Sequence, residues 1–177
     1  MRICAYIATS LDDFIARMDG SLDWLPKPVE GGEDYGYGRF FASIDAIVMG
    51  RNTFDTVLSF GEWSYADKPM WVLSRRELEL PAFVPQIVTR WSGSLTALVE
   101  ELTLHRVKKV YVDGGKTIQS FLRAGLLDEI TITTIPVLIG QGISLFGSLE
   151  ADVKLKLIES RAFEDGLVQS CYAVVKG

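Results

Sequence analysis

Two short stretches place glycine, a fixed positive charge and small polar side chains directly after an apolar run. In residues 45–54 (DAIVMGRNTF), Ala46, Ile47, Val48 and Met49 suit a strand buried on both faces, and Gly50, Arg51, Asn52 and Thr53 follow at once. Gly50 lets the backbone turn closely, Asn52 and Thr53 offer capping side chains, and residues 53–58 have the apolar spacing of a helix. Such a junction suits a phosphate: free N–H groups and the positive end of the helix dipole face the anion, and Arg51 adds charge-assisted bonds. Residues 109–121 (KVYVDGGKTIQSF) repeat the plan. Val110, Tyr111 and Val112 lead to Asp113, Gly114, Gly115, Lys116 and Thr117, then to a helix with Ile118, Phe121 and Leu122 on one face. Either junction alone is also what an ordinary structural turn looks like; two in one domain point to a ligand with more than one phosphate.

The flanking elements must hold these junctions in place. Residues 2–9 read as a central strand, followed by a long segment, 10–32, rich in Asp, Gly and Pro. Its Phe14, Ile15, Leu22, Trp24 and Leu25 either cover something flat or pin the loop to the core. A helix is expected over 33–43 with Tyr37, Phe40 and Phe41 inward, although Gly36 and Gly38 each weaken it by about 1 kcal/mol relative to Ala. Strands are expected at 70–74 and 86–89, and a helix opens at Ser94 and runs through Leu104. A long strand is read over 129–139, interrupted by Pro136, and a hairpin of 154–161 and 168–175 turns around Glu164, Asp165 and Gly166. Strands alternate with helices for most of the chain, then strands stand alone. That order predicts an α/β fold with a mostly parallel sheet between two helical layers, an αβα sandwich extended by antiparallel C-terminal strands.

Length and composition narrow the function classes. With 177 residues, 48% hydrophobic and 23% charged, the chain reads as one domain, residues 1–177, able to bury roughly 70% of its unfolded surface. A net charge of −5 with no cationic face argues against a nucleic-acid partner. Met1 runs straight into strand-like sequence, and no apolar run approaches the ~20 residues that span a bilayer, so a cytoplasmic protein without membrane partners is expected. Cys4 and Cys171 read as reduced thiols in apolar strands rather than a disulfide or metal pair. His105 is the single histidine, which leaves His-based triads and multi-His zinc sites without residues; no metal site is expected.

Look-alike motifs fail on spacing. A triphosphate P-loop ending at Gly115, Lys116 and Thr117 needs a glycine where Val110 stands. The GxG fragments at Gly36 and Gly140 meet Phe41 and Leu145 at their third position, and the first has no strand before it.

Taken in order, MRICAYIATSLD, SIDAIVMGRNTFD, MWVLSR, VYVDGGKTIQSFL and LLDEITITTIPVLIGQGISLF resemble the dihydrofolate reductase-like superfamily. Within it the chain resembles the reductase domain that forms the C-terminal half of bacterial riboflavin-biosynthesis deaminase-reductases and also occurs free-standing. The resemblance covers essentially the whole length and implies a dihydrofolate reductase-like fold that binds NADPH. It implies that Gly50, Arg51, Asn52 and Thr53 contact cofactor phosphates. Leu73, Ser74 and Arg75 match the strand end that holds the adenosine ribose and its 2′-phosphate. Gly114, Gly115, Lys116, Thr117 and Ile118 match the junction against pyrophosphate and nicotinamide, and Ala8 and Thr9 the backbone that meets the nicotinamide amide. The charges agree, since Arg51 and Arg75 suit bidentate phosphate binding.

In folate reductases an acidic residue on the first helix assists protonation. Here Asp34 stands sixteen positions before Gly50, a similar spacing. Partial burial would raise its pKa for that role; alternatively Asp34 caps the helix. Relatives commonly carry Gly after Ser-Leu-Asp, where this chain has Asp13. If that position has φ > 0, Asp is accommodated less well than Gly.

The expectation is therefore an NADPH-dependent reductase of a small heterocycle or ribosylamino-pyrimidine, with 5-amino-6-(5-phosphoribosylamino)uracil as the family's substrate. The zinc-binding pattern of the deaminase half is absent from the sequence. Dihydrofolate reduction is one alternative, and a non-catalytic nucleotide-binding homodimer is another. A homodimer is expected through residues 135–146, which read either as an apolar patch buried against a second copy or as an ordinary core strand and turn.

Overall fold

Side chains alternate in direction along the run after Asp45. Ala46 and Val48 enter one buried cluster with Ile3, Ala5, Val110 and Val112, while Ile47 and Met49 enter a second with Met70, Val72 and Tyr111. Both faces of the sheet are thus covered, as a continuous apolar run requires. The structure, a computed structural model, describes residues 1–27 and 32–176; positions 28–31 of the long first segment and Gly177 lie outside the described residues.

In chain order the elements are β1 (Arg2–Ser10), β2 (Phe14–Ala16), α1 (Tyr37–Ser43), β3 (Ala46–Gly50), α2 (Arg51–Ser59), β4 (Met70–Leu73), β5 (Val88–Trp91), α3 (Leu95–Leu104), β6 (Lys109–Asp113), α4 (Gly115–Arg123), β7 (Glu129–Ile135), β8 (Ile143–Ser144), β9 (Leu155–Ala162) and β10 (Val168–Val174). Eight strands form one sheet in the order β5-β4-β3-β6-β1-β7-β10-β9. The strands from β5 to β7 are parallel to their neighbours, and β10 runs antiparallel to both β7 and β9. Leu98 and Leu102 of α3 and Ile118, Phe121 and Leu122 of α4 cover one face; Phe54 and Val57 of α2, with the half-buried Phe40 and Phe41 of α1, cover the other. This is the expected three-layer α/β sandwich with antiparallel C-terminal strands.

Boundaries shift where local chemistry outweighs pattern. Helix α1 starts at Tyr37 rather than at 33, because Tyr35 and Gly36 adopt left-handed backbone (φ 55 and 82) that a helix cannot contain. Strand β7 stops at Ile135, before Pro136, which has no N–H for the ladder. Strand β5 lies at 88–91 instead of 86–89. Strands β2 and β8, paired as a small separate sheet, were not expected from the sequence; each is too short to show alternation.

Cys4 and Cys171 are free thiols, the first buried and the second half-buried. They sit on β1 and β10, which flank β7 on opposite sides. Two strand spacings put roughly 10 Å between such positions, beyond the reach of a disulfide. No helix among the described residues is long and apolar enough to cross a membrane. Nor do the described residues bring together a group of three acidic, His or Cys side chains able to hold a metal ion.

Candidate functional site

Strand β3 leads through α2 to β4 on one side of the sheet, whereas β6 leads through α4 towards β7 on the other. Since β3 and β6 are neighbours, the chain diverges between their C-terminal ends, and a crevice opens there of the kind that takes ligands in open α/β sheets. The register brings the sequence motifs to one edge: Gly50 pairs with Leu73, and Met49 pairs with Asp113. The junctions touch. A Cβ built on Gly50 would stand 2.7 Å from Thr117 Oγ1, and one on Gly114 would collide with Thr53 Oγ1. Gly114 also has φ 93, which side chains rarely adopt. Close backbone approach is thus needed at both positions.

The two helix starts at this edge differ from that of α3. Ser94 caps α3 by accepting from Ala97 N at 3.2 Å, while neither α2 nor α4 has a side-chain cap. The expected capping by Asn52 and Thr53 is corrected: both lie inside the first turn of α2, whose N-cap is Gly50. Their N–H groups remain available to an anion. Arg51 is partly engaged, donating from Nε to Asp55 Oδ1 at 2.7 Å and from Nη1 to the Glu77 carbonyl at 2.9 Å. Ser74 is buried in a tight turn, its Oγ accepting from Arg76 N and donating to the Arg76 carbonyl, and Arg75 is exposed beside it. Lys116 is exposed, whereas Gly114, Gly115, Thr117 and Ile118 are buried.

Beyond the crevice, on the β1 and β7 side, lies a cavity of about 260 Å³ lined mainly by Tyr6, Ile7, Ala8, Leu25, Asp34, Tyr37, Thr133 and Leu167. Ala8 belongs to its wall, and Thr9 follows as a buried residue whose Oγ1 has no partner among the described residues. Tyr6 stacks on Phe40 with ring centroids 4.7 Å apart and meets Tyr37 edge-on at 5.7 Å. A polar knot fixes the Tyr6 hydroxyl: it donates to the Tyr35 carbonyl at 2.5 Å and lies 2.7 Å from Gln169 Nε2, which also reaches Thr133 Oγ1 at 2.8 Å.

Asp34 reaches this cavity but not in the protonation state expected. It is exposed, and its carboxylate accepts from Gly36 N at 2.8 Å and Gly38 N at 3.0 Å. These bonds hold it below the ordinary carboxylate range, so burial does not raise it, and they tie it to the start of α1, whose N-cap is Gly36. The carboxyl that burial does raise is Asp113, at the end of β6, where Oδ1 accepts from Gly114 N and Oδ2 from the Tyr65 hydroxyl. Its place between an apolar strand and two glycines was visible in the sequence; its enclosure by Tyr65 and Tyr111 was not. Tyr6, Thr133 and Gln169 were missed because they come from three strands with no shared motif.

The first loop is fastened over this edge. Asp12 accepts from Ser10 Oγ, Ile139 N and Gly140 N, Leu145 N donates to the Asp13 carbonyl, and Ile15 lies against Gly115. Asp13 has φ 66, so the aspartate does occupy a left-handed position.

Comparison with known proteins agrees with this geometry. The chain is 33% identical over 160 residues to the uncharacterized protein YwjB of Bacillus subtilis, covering 89% of this chain and 90% of that one. A crystal structure from Shewanella sp. PV-4, described as a candidate riboflavin biosynthesis protein, is 39% identical with a TM-score of 0.91 and covers 99% of this chain and 100% of its own. A Thermotoga maritima diaminohydroxyphosphoribosylaminopyrimidine deaminase/5-amino-6-(5-phosphoribosylamino)uracil reductase shares the fold at 15% identity and a TM-score of 0.73, with 98% of this chain matching 56% of that longer one. The model of the RibD C-terminal domain matches residues 2–169, nearly the full length, and the chain belongs to that family.

Proposed function

We propose that the protein is an NADPH-dependent reductase that delivers hydride to a C=N or C=O carbon of a small heterocycle or ribosylamino-pyrimidine. The observation that carries this reading is the pair of uncapped helix starts, α2 and α4, pressed together at the sheet's divergence with glycines where a Cβ would intrude. That cradle fits a pyrophosphate. In this reading Gly50, Asn52, Thr53, Gly114, Gly115, Lys116 and Thr117 hold the phosphates, and Arg51 braces the rim. Ser74 and Arg75 hold the adenosine ribose and its 2′-phosphate, which favours NADPH over NADH. Ala8, Ile118 and the unpartnered Thr9 hydroxyl face the nicotinamide side. Bound NADPH supplies the hydride; the chain's work is to align the acceptor carbon and exclude water with the first loop. Ionised Asp34 accepts a hydrogen bond from the substrate ring, and the proton that balances the hydride comes from solvent at the cavity mouth.

Thermal unfolding with saturating NADPH and, separately, NADH tests the cofactor assignment. A ligand at 100 times its dissociation constant stabilises by about 2.7 kcal/mol, a rise of roughly 5 to 11 °C for a chain of this size. A clear rise with NADPH and a much smaller one with NADH is expected. No rise with either rejects the assignment.

We also propose pairing with a second copy of the chain. Leu138, Ile143 and Phe146 are exposed, and Pro136 lies against Gly166 in the hairpin of β9 and β10, where Leu155, Leu157 and Val168 are exposed too. Strand β9 is one of the two outer strands of the sheet, and its ladder edge is open.

A further inference from the structure

We infer that Asp12 is a positioning residue: its carboxylate fastens the first loop, residues 11–16, across the start of α4 and so sets how long the dinucleotide stays bound. The inference rests on the reading of that helix start as part of the cofactor crevice. Three donors converge on this one side chain. Its Oδ1 accepts from Ser10 Oγ at 2.6 Å and from Ile139 N at 3.2 Å, and its Oδ2 accepts from Gly140 N at 2.7 Å. The Ser10 hydroxyl in turn accepts from Phe14 N at 3.0 Å, which closes the turn on the first-loop side. An ionised acceptor makes the stronger kind of hydrogen bond, so Asp12 joins two loops that are distant in sequence.

The two loops differ in how firmly they are held. In the second, Leu145 is buried in the same core cluster as Ile118 and Phe121, and Gln119 of α4 donates from Nε2 to the Leu145 carbonyl at 2.9 Å. That loop is the fixed post. The first loop has an exposed Leu11 and leans on it: Leu11 N donates to the Val137 carbonyl at 2.8 Å, Leu145 N to the Asp13 carbonyl at 3.1 Å, and β2 pairs with the two-residue β8. Asp12 adds the side-chain bonds that cross from one loop to the other. Beneath the joint lies the first residue of α4, since a Cβ on Gly115 would stand 2.6 Å from Ile15 Cδ1 and 3.6 Å from the Ser144 carbonyl oxygen. Both sides of the joint thus touch the helix start, and a dinucleotide seated there is released when the first loop swings off it. Charge alone gives the opposite sign. A carboxylate at this edge repels an anionic dinucleotide, so an Asp12 that acted only by its charge would slow release when removed, whereas removing a fastening speeds it.

The test measures release of NADPH from its complex by stopped-flow fluorescence, with excess NADP+ to trap the freed enzyme. Asp12→Ala should release NADPH roughly tenfold faster, with the association rate little changed. Asp12→Asn, which keeps one acceptor oxygen, should fall between Asp12→Ala and wild type, and it decides by the same criteria if Asp12→Ala does not fold. Asp13→Asn, the same change of charge one residue along, should release no faster than wild type. A second readout needs no cofactor. Amide hydrogen exchange at Leu11 and Leu145, whose partners are the Val137 and Asp13 carbonyls rather than Asp12, should be at least about fivefold faster in Asp12→Ala. Release that is unchanged or slower in Asp12→Ala overturns the inference while the cofactor reading stands. Faster exchange with unchanged release leaves Asp12 a structural clasp alone and also overturns it, as does equal acceleration by Asp13→Asn. A wild-type protein whose Tm does not rise with NADPH overturns the cofactor reading and the inference with it.

Discussion

Gly50 and Thr117, on two different strand-to-helix junctions, stand so close that a methyl group on the first would come within 2.7 Å of the hydroxyl of the second. The reciprocal contact joins Gly114 to Thr53. Each junction thus depends on the other for its shape. Gly114→Ala forces a side chain into both φ 93 and the Thr53 hydroxyl and should cost about 1–3 kcal/mol or more. Gly50→Ala, with an ordinary φ of −77, should cost less. Urea unfolding measures both, and the NADPH-induced rise in Tm should shrink in each.

Arg51 and Arg75 should separate stability from specificity. Arg75 is exposed, so Arg75→Ala should leave stability within about 0.5 kcal/mol while weakening NADPH roughly tenfold and sparing NADH. Arg51→Ala also frees Asp55 and the Glu77 carbonyl, and should lower stability by about 0.5–1.5 kcal/mol. Isothermal titration with the two cofactors, alongside urea unfolding, distinguishes them.

Asp13 tests how much its left-handed position matters. Releasing the strain of a non-glycine residue at φ 66 gains about 1 kcal/mol, but glycine loses a similar 0.5–1 kcal/mol through its freer unfolded chain. Asp13→Gly should therefore be nearly neutral in stability. Asp13→Val, β-branched, should cost about 1–3 kcal/mol.

Alkaline pH should unfold the protein earlier than acid-insensitive packing alone predicts. Burial, with Asp113 nearby, pushes Tyr37 up to about 12 and raises Tyr65 and Tyr111 as well. Unfolded tyrosine titrates near pH 10. Between these values the unfolded state binds fewer protons than the folded one, so stability present below pH 10 is lost as pH rises through the folded pKa. Tm measured from pH 8.5 to 11.5 should fall steadily above 10, and Tyr37→Phe should remove only part of that fall, since Tyr65 and Tyr111 remain.

Self-association is expected through the exposed apolar side chains of β9, among them Leu155 and Leu157. Sedimentation velocity at micromolar concentration should give a dimer, and Leu157→Lys should shift it to monomer. A monomeric wild-type chain at every concentration rejects the pairing.

The strands and junctions were legible because apolar runs and glycines are local signals. Residues 46–49 and 110–112 fell where the run, the glycine and the following helix all agreed. Asp34 lines the cavity, but its protonation state depends on the N–H groups of Gly36 and Gly38, which point at it because Tyr35 and Gly36 turn left-handed. No period or composition encodes that. The link between Phe14–Ala16 and Ile143–Ser144 joins segments far apart in sequence and too short for pattern. Gln169 likewise gains meaning from Tyr6 and Thr133 across the sheet.

The placement of β1 carries a consequence for how the chain comes together. Along the chain it precedes the other strands of its sheet, yet it lies inside that sheet, with Arg2 in register with Lys109 on one side and Cys4 with Glu129 on the other. Until β6 and β7 have left the ribosome, an apolar strand with two unsatisfied edges waits for its neighbours. Assembly of the sheet's centre is consequently a late, long-range event, and a slow refolding phase with a chaperone-responsive yield is the behaviour such connectivity produces.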